Sequence, residues 1–409
     1  MSMKRIRNIV LVITLLVFVA AGSYRLGFNK ATFGVSSVKQ NDELNLNLMW
    51  QVKERLSETF LEKDKMNDSE MVYGAIEGMV RSLGDPYTVF LPPEENKSSE
   101  EDLKGEFGGV GISLGYKDET LAVMTPLPKT PADKAGLKAG DLILKITDKE
   151  KGIDEDTNGI SLDEAVKMIR GKVGTEVTLK IYREGKAETF DVNLKRDNIV
   201  VASIEMEWKE FEGKNIAWVK LYKFSDRLYT EWPQMVKEIQ SKKDDDFGGI
   251  VLDLRNNPGG FLQASVLVAS DFLKNGVVVK QESSDGSVEV YEVDKSRGNL
   301  LNEKLVVLIN GGSASASEIL AGALKDYKRA KLVGEKSFGK GTVQQPEDFP
   351  DGSGLHVTIA KWLLPNGNNI HEVGVKPDVE VILDFGELKE GEEPVDNQLD
   401  KAMEVLLEE

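Results

Sequence analysis

The spacing of apolar residues predicts two amphipathic helices in the N-terminal part of the chain. In the first, an apolar residue recurs at every fourth position between residues 44 and 60. In the second, an apolar face over residues 71–83 is followed by the turn Gly84-Asp85-Pro86, which ends the helix. With a preceding polar linker, these helices form an N-terminal region at residues 30–102. Such a pair suits either dimerisation or the covering of a core, and the spacing leaves both roles open.

Residues 103–196 change to short strands and turns arranged around one helix. A glycine-rich stretch at 108–112 opens a strand that continues to Tyr116. Ser161 and Glu164 form a capping-box pair, and apolar residues follow them at helical spacing. This order of elements resembles a PDZ domain.

The PDZ resemblance implies a function for the glycine-rich stretch. In that family, backbone N–H groups of such a loop bind the C-terminal carboxylate of a peptide, which adds as a strand beside the loop's own strand. The residues that match the loop here are Gly109, Val110, Gly111 and Ile112.

Strand-like apolar runs alternate with helical segments over residues 197–385. The clearest strands are 216–221, 250–254 and 305–309. This alternation predicts an α/β core with a partly parallel sheet. The acidic stretch that follows, at 386–409, is predicted to be a surface segment that ends in a short helix.

The extreme N-terminus, residues 1–29, has the pattern of an export signal. Lys4, Arg5 and Arg7 precede an apolar run over residues 9–21. We favour an uncleaved anchor in the cytoplasmic membrane with the rest of the chain outside, as the positive-inside rule predicts. Small residues at 20–22 keep a cleaved signal peptide as the alternative.

Composition narrows the possible chemistry. A chain of 409 residues is long enough for several domains, and its net charge of −17 argues against a nucleic-acid partner. The chain has no cysteine, which excludes thiol catalysis, and only two histidines, His356 and His371. Neither metal nor cofactor is predicted, and any base is expected to be a residue other than histidine.

A turn crowded with small residues carries the first chemical signal. The run Gly-Gly-Ser-Ala-Ser-Ala-Ser-Glu at 311–318 follows a strand and precedes a helix. There, a sharp bend and free N–H groups at a helix start suit a nucleophile and an oxyanion. Serine is equally favoured as a helix cap. The run alone therefore does not decide between these roles or among its three serines.

The role of the serine-rich run becomes clear beside a second stretch. This is Gly-Glu-Lys-Ser-Phe-Gly-Lys-Gly-Thr-Val-Gln at 334–344. Together with the segments 71–88 and 253–260, the two stretches resemble the carboxyl-terminal processing peptidases, the tail-specific serine proteases of family S41. The resemblance implies a multidomain α/β protein with a helical N-terminal region, an inserted PDZ-like β-rich domain and a mixed α/β, crotonase- or ClpP-like catalytic core. It identifies Ser315 as the nucleophile, Lys340 as the base and Gln344 as the third catalytic residue.

A lysine base must be neutral, so the fold is expected to lower the pKa of Lys340. Burial beside Phe338 would contribute to this, and Gln344 would orient the amine without favouring its protonated form. The resemblance also implies an oxyanion hole made of the N–H of Ala316 and one from the Gly-Gly pair at 259–260, with Gly259 preferred. Glu318 is a possible auxiliary residue, one helical turn from the nucleophile, which would complement the helix N-terminus.

The expected function is a serine endopeptidase that cleaves exported proteins with accessible C-termini, which its PDZ domain recognises. The expected partners are therefore protein or peptide substrates, a membrane through the N-terminal segment, and possibly a second copy in a homodimer. Two alternatives are a noncatalytic PDZ scaffold and an enzyme that transfers acyl groups between small molecules. The intact Ser315 and Lys340 argue against the scaffold, and the peptide-recognising module argues against the small-molecule enzyme.

Overall fold

The computed structural model describes residues 45–384 and 395–408. The predicted anchor at 1–29, with most of the linker, lies outside these residues. Within the described ranges, no helix combines the length and the apolar character that a membrane crossing requires. The chain divides between Val72 and Tyr73 into two compact units.

Both predicted N-terminal helices are present. Helix α1 spans Asn47–Thr59 and helix α2 spans Asp68–Arg81, with a 3₁₀ turn at Lys63–Lys65. No side chain of α1 is buried. Helix α2 leads through Gly84, at φ +73°, into the turn that follows it.

A β-rich domain occupies the region where the PDZ resemblance was found. Its six-stranded sheet has the order β3-β4-β5-β7-β8, with β6 paired to β5. The strands are β3 (Ile112–Lys117), β4 (Thr120–Pro126), β5 (Leu142–Asp148), β6 (Ile153–Asp156), β7 (Glu176–Tyr182) and β8 (Phe190–Lys195). The helices are α4 (Pro131–Lys134) and α5 (Leu162–Ile169), and the predicted capping box begins α5.

The β-rich domain is an insertion closed by one strand pair. Strand β2 (Glu106–Gly109) enters the domain and pairs antiparallel with β9 (Asp197–Val200), which leaves it. Helix α3 (Pro93–Lys104) precedes this pair. Beside the exit, the fully buried side chain of Arg196 forms an ion pair of 2.7 Å with Asp148. Removing or displacing one partner of such a pair would leave the other charge buried without a partner, which is costly. This ion pair therefore holds the end of the insertion in place.

The catalytic-core region is built on a second six-stranded sheet, in the order β10-β11-β12-β15-β16-β19. Its strands are β10 (Ile204–Phe211), β11 (Lys214–Leu221), β12 (Phe247–Asp253), β15 (Leu305–Ile309), β16 (Lys331–Gly334) and β19 (Val379–Glu380). Only β10 runs antiparallel to its neighbour, so the predicted partly parallel sheet is confirmed. The three strands predicted in this region correspond to β11, β12 and β15.

Helices cover both faces of this central sheet. One face packs against α6 (Leu228–Lys242), α7 (Leu262–Phe272) and α8 (Ala316–Asp326). The other face packs against α9 (Asn397–Glu408), whose Leu399, Met403 and Leu406 are buried on it. The acidic C-terminal segment was predicted to lie on the surface, and for α9 this is corrected. The segment is acidic overall, but its apolar residues recur at helical spacing and form one stripe, and this stripe completes the core.

A smaller sheet brings distant parts of the chain together. Its order is β1-β18-β13-β14, with β17 also paired to β18. The strands are β1 (Val89–Leu91), β13 (Val277–Ser283), β14 (Val288–Glu292), β17 (Thr342–Asp348) and β18 (Gly354–Leu363). Because β18 pairs with both β1 and β17, the turn after α2 comes close to the strand that follows Lys340.

Candidate active site

The candidate nucleophile lies where β15 turns into α8. Of the three serines in this turn, Ser313 and Ser317 are fully buried, and their hydroxyls donate to the backbone carbonyls of Leu254 (2.7 Å) and Asn257 (2.8 Å). Ser315 is only half-buried. Its backbone adopts φ +55° and ψ −115°, a region that non-glycine residues rarely occupy and that is common at functional sites. The structure thus gives two of the serines structural roles and leaves Ser315 accessible.

The Gly-Gly turn after β12 packs directly against Ser315. A Cβ atom on Gly259 would lie 2.8 Å from both the carbonyl oxygen of Ala314 and the Cβ of Ser315, so only glycine fits there. The N–H of Gly259, however, already donates to the side-chain oxygen of Asn257 at 2.9 Å. In the part of the chain that the structure describes, the N–H groups of Gly260 and Ala316 have no partner. The preferred oxyanion donor therefore changes from Gly259 to Gly260, with Ala316 retained.

One buried carboxylate joins the nucleophile turn to the lysine loop. The Oε2 atom of Glu318 accepts the backbone N–H groups of Ser315 (2.8 Å) and Lys340 (3.0 Å). Its Oε1 atom accepts the hydroxyl of Ser337 (2.6 Å) and the N–H of Gly339 (2.7 Å). The role expected for Glu318, complementing the start of α8, is thus only part of what its carboxylate does.

The carboxylate of Glu318 is fully buried, and burial raises its pKa although these four donors favour the ionised form. Its oxygens are committed to backbone and hydroxyl donors, and it does not form an ion pair with the amine of Lys340 within the described residues. The carboxylate therefore positions the lysine's backbone.

The side chain of Lys340 is half-buried. Burial lowers the pKa of Lys340, and the charges of Asp85 and Glu318 oppose this shift. The amine lies 5.1 Å from the centre of the Tyr87 ring. Phe338 was expected to bury the lysine, but its side chain is 56% exposed. Tyr87, from the turn after α2, takes the place expected for Phe338.

The amide of Gln344 is fixed by two threonines. Its Nε2 group donates to the hydroxyls of Thr342 (3.0 Å) and Thr358 (3.1 Å). Both N–H bonds of the amide are used in this way, so only its carbonyl oxygen is left to accept a hydrogen bond from an amine. An amide in this orientation can offer an acceptor to a lysine base, as the predicted role of Gln344 requires.

Both histidines lie near the lysine loop, although none was expected there. The Nδ1 atom of His371 accepts the N–H of Gly341 at 3.4 Å, and its ring meets that of Tyr87 edge-on at 5.9 Å. Burial, together with the charge of Lys340, lowers the pKa of His356. Sequence spacing did not indicate that the histidines lie there. The pairing of β1 and β17 with β18 brings the segments that carry the histidines close to the lysine loop.

The glycine-rich loop of the PDZ-like domain has the features of a carboxylate site. In the described ranges, the N–H groups of Val110 and Gly111 have no hydrogen-bond partner. Gly111 has φ +76°, and a Cβ on it would lie 2.4 Å from Thr130, so this position requires glycine. The loop continues through Ile112 into β3, the edge strand of its sheet. A Cβ on Gly109 would lie 2.9 Å from the ring of Phe107, so a substitution there would also disturb packing.

Residues 45–384 and 395–408 contain no group of three or more acidic, histidine or cysteine side chains arranged to hold a metal ion.

Four residues beside Lys340 were missed as site residues. They are Asp85, Tyr87, Thr88 and Thr358. The segment that contains the first three was noted for its resemblance to a family signature. Only the long-range pairing of β1 with β18 shows that this segment reaches Thr358 and the amine of Lys340.

Three family models match the sequence. The model of peptidase family S41 matches residues 215–381, a PDZ-domain model matches 108–194, and the model of the N-terminal domain of the activating protease CtpB matches 27–95. Their order along the chain is that of the helical, β-rich and α/β regions described above.

Full-length relatives agree with the family models. The chain is 35% identical to the carboxy-terminal processing protease CtpA of Bacillus subtilis, over 91% of this chain and 75% of that protein. It is 38% identical to a probable CtpA-like serine protease of Staphylococcus aureus, over 85% of this chain and 67% of that protein. Among solved structures, it resembles the photosystem II D1 C-terminal processing protease, with 32% identity and a TM-score of 0.50 over 80% of this chain and 86% of that one.

The role of Glu318 can be tested by Glu318→Gln. An amide offers one acceptor oxygen in place of two. Its NH₂ group would face either the N–H groups of Ser315 and Lys340 or the N–H of Gly339 and the hydroxyl of Ser337, so at least one backbone donor would lose its acceptor. We expect the peptidase rate to fall by about 100-fold, as for a displacement of reacting groups by about 1 Å, and the free energy of unfolding to fall by about 1–3 kcal/mol.

Glu335→Gln is the matched control, because the Oε1 atom of Glu335 accepts the N–H of Leu383 (3.1 Å) and the amide of Gln398 (3.1 Å) away from Ser315. It should lower stability without a comparable loss of rate. Equal losses of rate in the two variants would show that Glu318 has no special role in the site.

Proposed function

The chain belongs to peptidase family S41, as a carboxy-terminal processing serine protease with a PDZ domain, and on this premise we propose that it cleaves exported proteins with Ser315 as nucleophile and Lys340 as base. The observation that carries the assignment is the carboxylate of Glu318, which binds the backbone of both residues at once. It therefore makes one site of two loops that are separate in sequence.

In the proposed reaction, neutral Lys340 takes the proton of the Ser315 hydroxyl as its oxygen attacks the scissile carbonyl. The negative charge that develops on the carbonyl oxygen is stabilised by the N–H groups of Gly260 and Ala316. The lysine, now protonated, gives its proton to the leaving amine as the peptide C–N bond breaks. Water then attacks the acyl-enzyme with the lysine again acting as base, which releases the new C-terminus and restores Ser315.

Gln344 has a positioning role in this proposal. Its carbonyl oxygen accepts an N–H of the neutral amine, which directs the nitrogen lone pair to the Ser315 hydroxyl. A neutral amide suits this task better than a carboxylate, because an adjacent negative charge would raise the pKa of the lysine.

We propose that the PDZ domain selects substrates by their C-termini. The unpaired N–H groups of Val110 and Gly111 support this, because a carboxylate would satisfy them. The edge of β3 is open to an added strand, and α5 packs near it. A peptide placed there would pair with β3 and end at the loop.

For the nucleophile and the base, Ser315→Ala and Lys340→Arg should both fold, as judged by circular dichroism, and both should lack peptidase activity. Arginine keeps the charge but does not lose its proton in the accessible pH range, so it separates base catalysis from electrostatic stabilisation. In the wild type, kcat/KM should fall as acid protonates Lys340, along a limb that lies below the usual lysine range because burial lowers the pKa of this amine.

The acid limb should persist in a variant with His356→Asn and His371→Asn, since asparagine can still accept the N–H of Gly341. Loss of that limb in the double variant would assign it to a histidine. Substantial activity in a folded Lys340→Arg protein would rule out lysine as the base.

Tail recognition is tested with pairs of peptides that differ only at the C-terminus. A peptide with a free carboxylate should bind more tightly than its amide, by about 10-fold for one charge-assisted hydrogen bond worth about 1.5 kcal/mol or more. Binding measured with the Ser315→Ala protein avoids cleavage during the titration. Equal affinity for both peptides would contradict recognition of the carboxylate by this loop.

We further propose that residues 1–29 anchor the protein in the cytoplasmic membrane with the protease outside, and that α1 mediates self-association. The basic and apolar residues of 1–29 support the first point, and the exposed apolar side chains of α1, such as Leu48 and Trp50, support the second.

The full chain should remain with membranes after carbonate extraction. A chain that begins at residue 30 should be soluble and dimeric by light scattering. Release of the full chain by carbonate, or a monomeric soluble form, would contradict the respective proposal.

A further inference from the structure

The turn after α2 makes a chain of hydrogen bonds that ends at Gln344. Asp85, in this turn, accepts the hydroxyl of Thr88 at 2.6 Å. Burial raises the pKa of Asp85, but the side chains of Thr358 and Thr88 beside its carboxylate lower the pKa overall. The Thr88 hydroxyl accepts the backbone N–H of Thr358 at 3.0 Å. Thr358 in turn accepts the amide N–H of Gln344 at 3.1 Å. Four side chains from three segments thus link Asp85 to the third residue of the proposed site.

The directions of these hydrogen bonds follow from the charge of Asp85. The oxygen of Thr358 already accepts the amide of Gln344, and an ionised carboxylate only accepts, so the single hydroxyl proton of Thr358 is expected to point to Asp85. The oxygen of Thr358 is then left as an acceptor, and the group of Gln344 that faces it must be NH₂. The amide carbonyl oxygen is consequently turned away from Thr358, and in the proposed mechanism it is the acceptor for the amine of Lys340.

Without the carboxylate, the same network allows the opposite arrangement. If Thr358 turned its proton toward Gln344, the amide would rotate and present its NH₂ group to Lys340. A donor would then face the amine in place of an acceptor, and the lone pair of the lysine would no longer be directed to Ser315. Exchanging the two ends of an amide costs little in shape, so the hydrogen-bond directions decide between them.

We propose that Asp85 is a positioning residue that acts through Thr358 to set the orientation of the Gln344 amide, and that the turn after α2 is thereby part of the catalytic apparatus. The inference rests on the proposed roles of Ser315, Lys340 and Gln344. It assigns to Asp85 no contact with the substrate.

The charge of Asp85 has a second, opposing effect on Lys340. The titratable side chains that face the lysine in the described residues are Asp85 and Tyr87 from the turn, Glu318 from α8 and His356 from β18. Loss of the Asp85 carboxylate lowers the pKa of Lys340, which by itself would extend activity to lower pH. Rates must therefore be compared on the plateau above the acid limb, where the lysine is neutral in every variant.

The test is a double-mutant cycle of Asp85→Asn and Gln344→Ala, with kcat and KM measured on the pH plateau. Asp85→Asn alone should lower kcat on the order of 10- to 100-fold, as loss of an orienting partner does, with KM changed by less than about twofold. With Gln344→Ala already present, Asp85→Asn should lower kcat by less than about twofold, because the group it orients is gone.

One further pair of variants and one control complete the test. Thr358→Val should lose as much kcat as Asp85→Asn, whereas Thr358→Ser, which keeps the hydroxyl, should retain wild-type kcat. This pair also decides if Gln344→Ala has too little activity to measure. Asp351→Asn is the matched control, because Asp351 likewise accepts the N–H (3.0 Å) and hydroxyl (2.7 Å) of Ser353 in a turn, but is not linked to Gln344; its kcat should be unchanged.

The inference is overturned if Asp85→Asn lowers kcat equally in both backgrounds, or if Thr358→Val is as active as Thr358→Ser. Either result would show that the turn only supports the fold. Failure of the proposed function has a different signature, namely an inactive wild type or an active Ser315→Ala protein.

Discussion

The site depends on one buried negative charge, the carboxylate of Glu318. A carboxylate loses its hydration when it is buried, and the cost is several kcal/mol unless hydrogen bonds replace the lost water. Here four donors replace it, and two of them are the backbone N–H groups of Ser315 and Lys340. The requirement to satisfy this charge therefore holds the backbones of Ser315 and Lys340, the proposed nucleophile and base, close to each other. Because these donors are backbone groups, the amine itself stays free of a carboxylate partner and can become neutral.

Two sheets of the fold bring their loops to the region of this carboxylate. The central parallel sheet presents the ends of β12, β15 and β16 at one edge, and the loops that follow carry Gly260, Ser315 and Lys340. The smaller sheet adds the turn after α2, with Tyr87 beside the lysine amine. The PDZ domain is inserted into the chain between that turn and the central sheet. The catalytic core is therefore incomplete without residues 84–91, although these precede the PDZ domain in sequence.

The sequence was informative wherever a short segment determines its own structure. Apolar spacing located α1 and α2, the Ser161–Glu164 capping box located α5, and the family resemblance, confirmed by the comparisons, located the fold and its enzyme class. It was less informative where long-range pairing decides. Phe338 is two residues from Lys340 in sequence but exposed, whereas Tyr87, which is far from Lys340 in sequence, lies near its amine. The choice between Gly259 and Gly260 likewise depends on which N–H group Asn257 accepts, and spacing contains no information on that bond. The roles of the individual site residues remain predictions.

The central claim, that the fold makes Lys340 a neutral base, is tested most directly by titrating its amine. With ¹³C-labelled lysine, the Cε resonance of Lys340 can be identified as the one that is absent from the Lys340→Arg protein. It can then be followed with pH in the Ser315→Ala protein, which does not degrade itself. The account predicts that this resonance titrates below those of the exposed lysines, because burial lowers the pKa of this amine. Titration together with the exposed lysines, near the ordinary value of about 10.4, would contradict it.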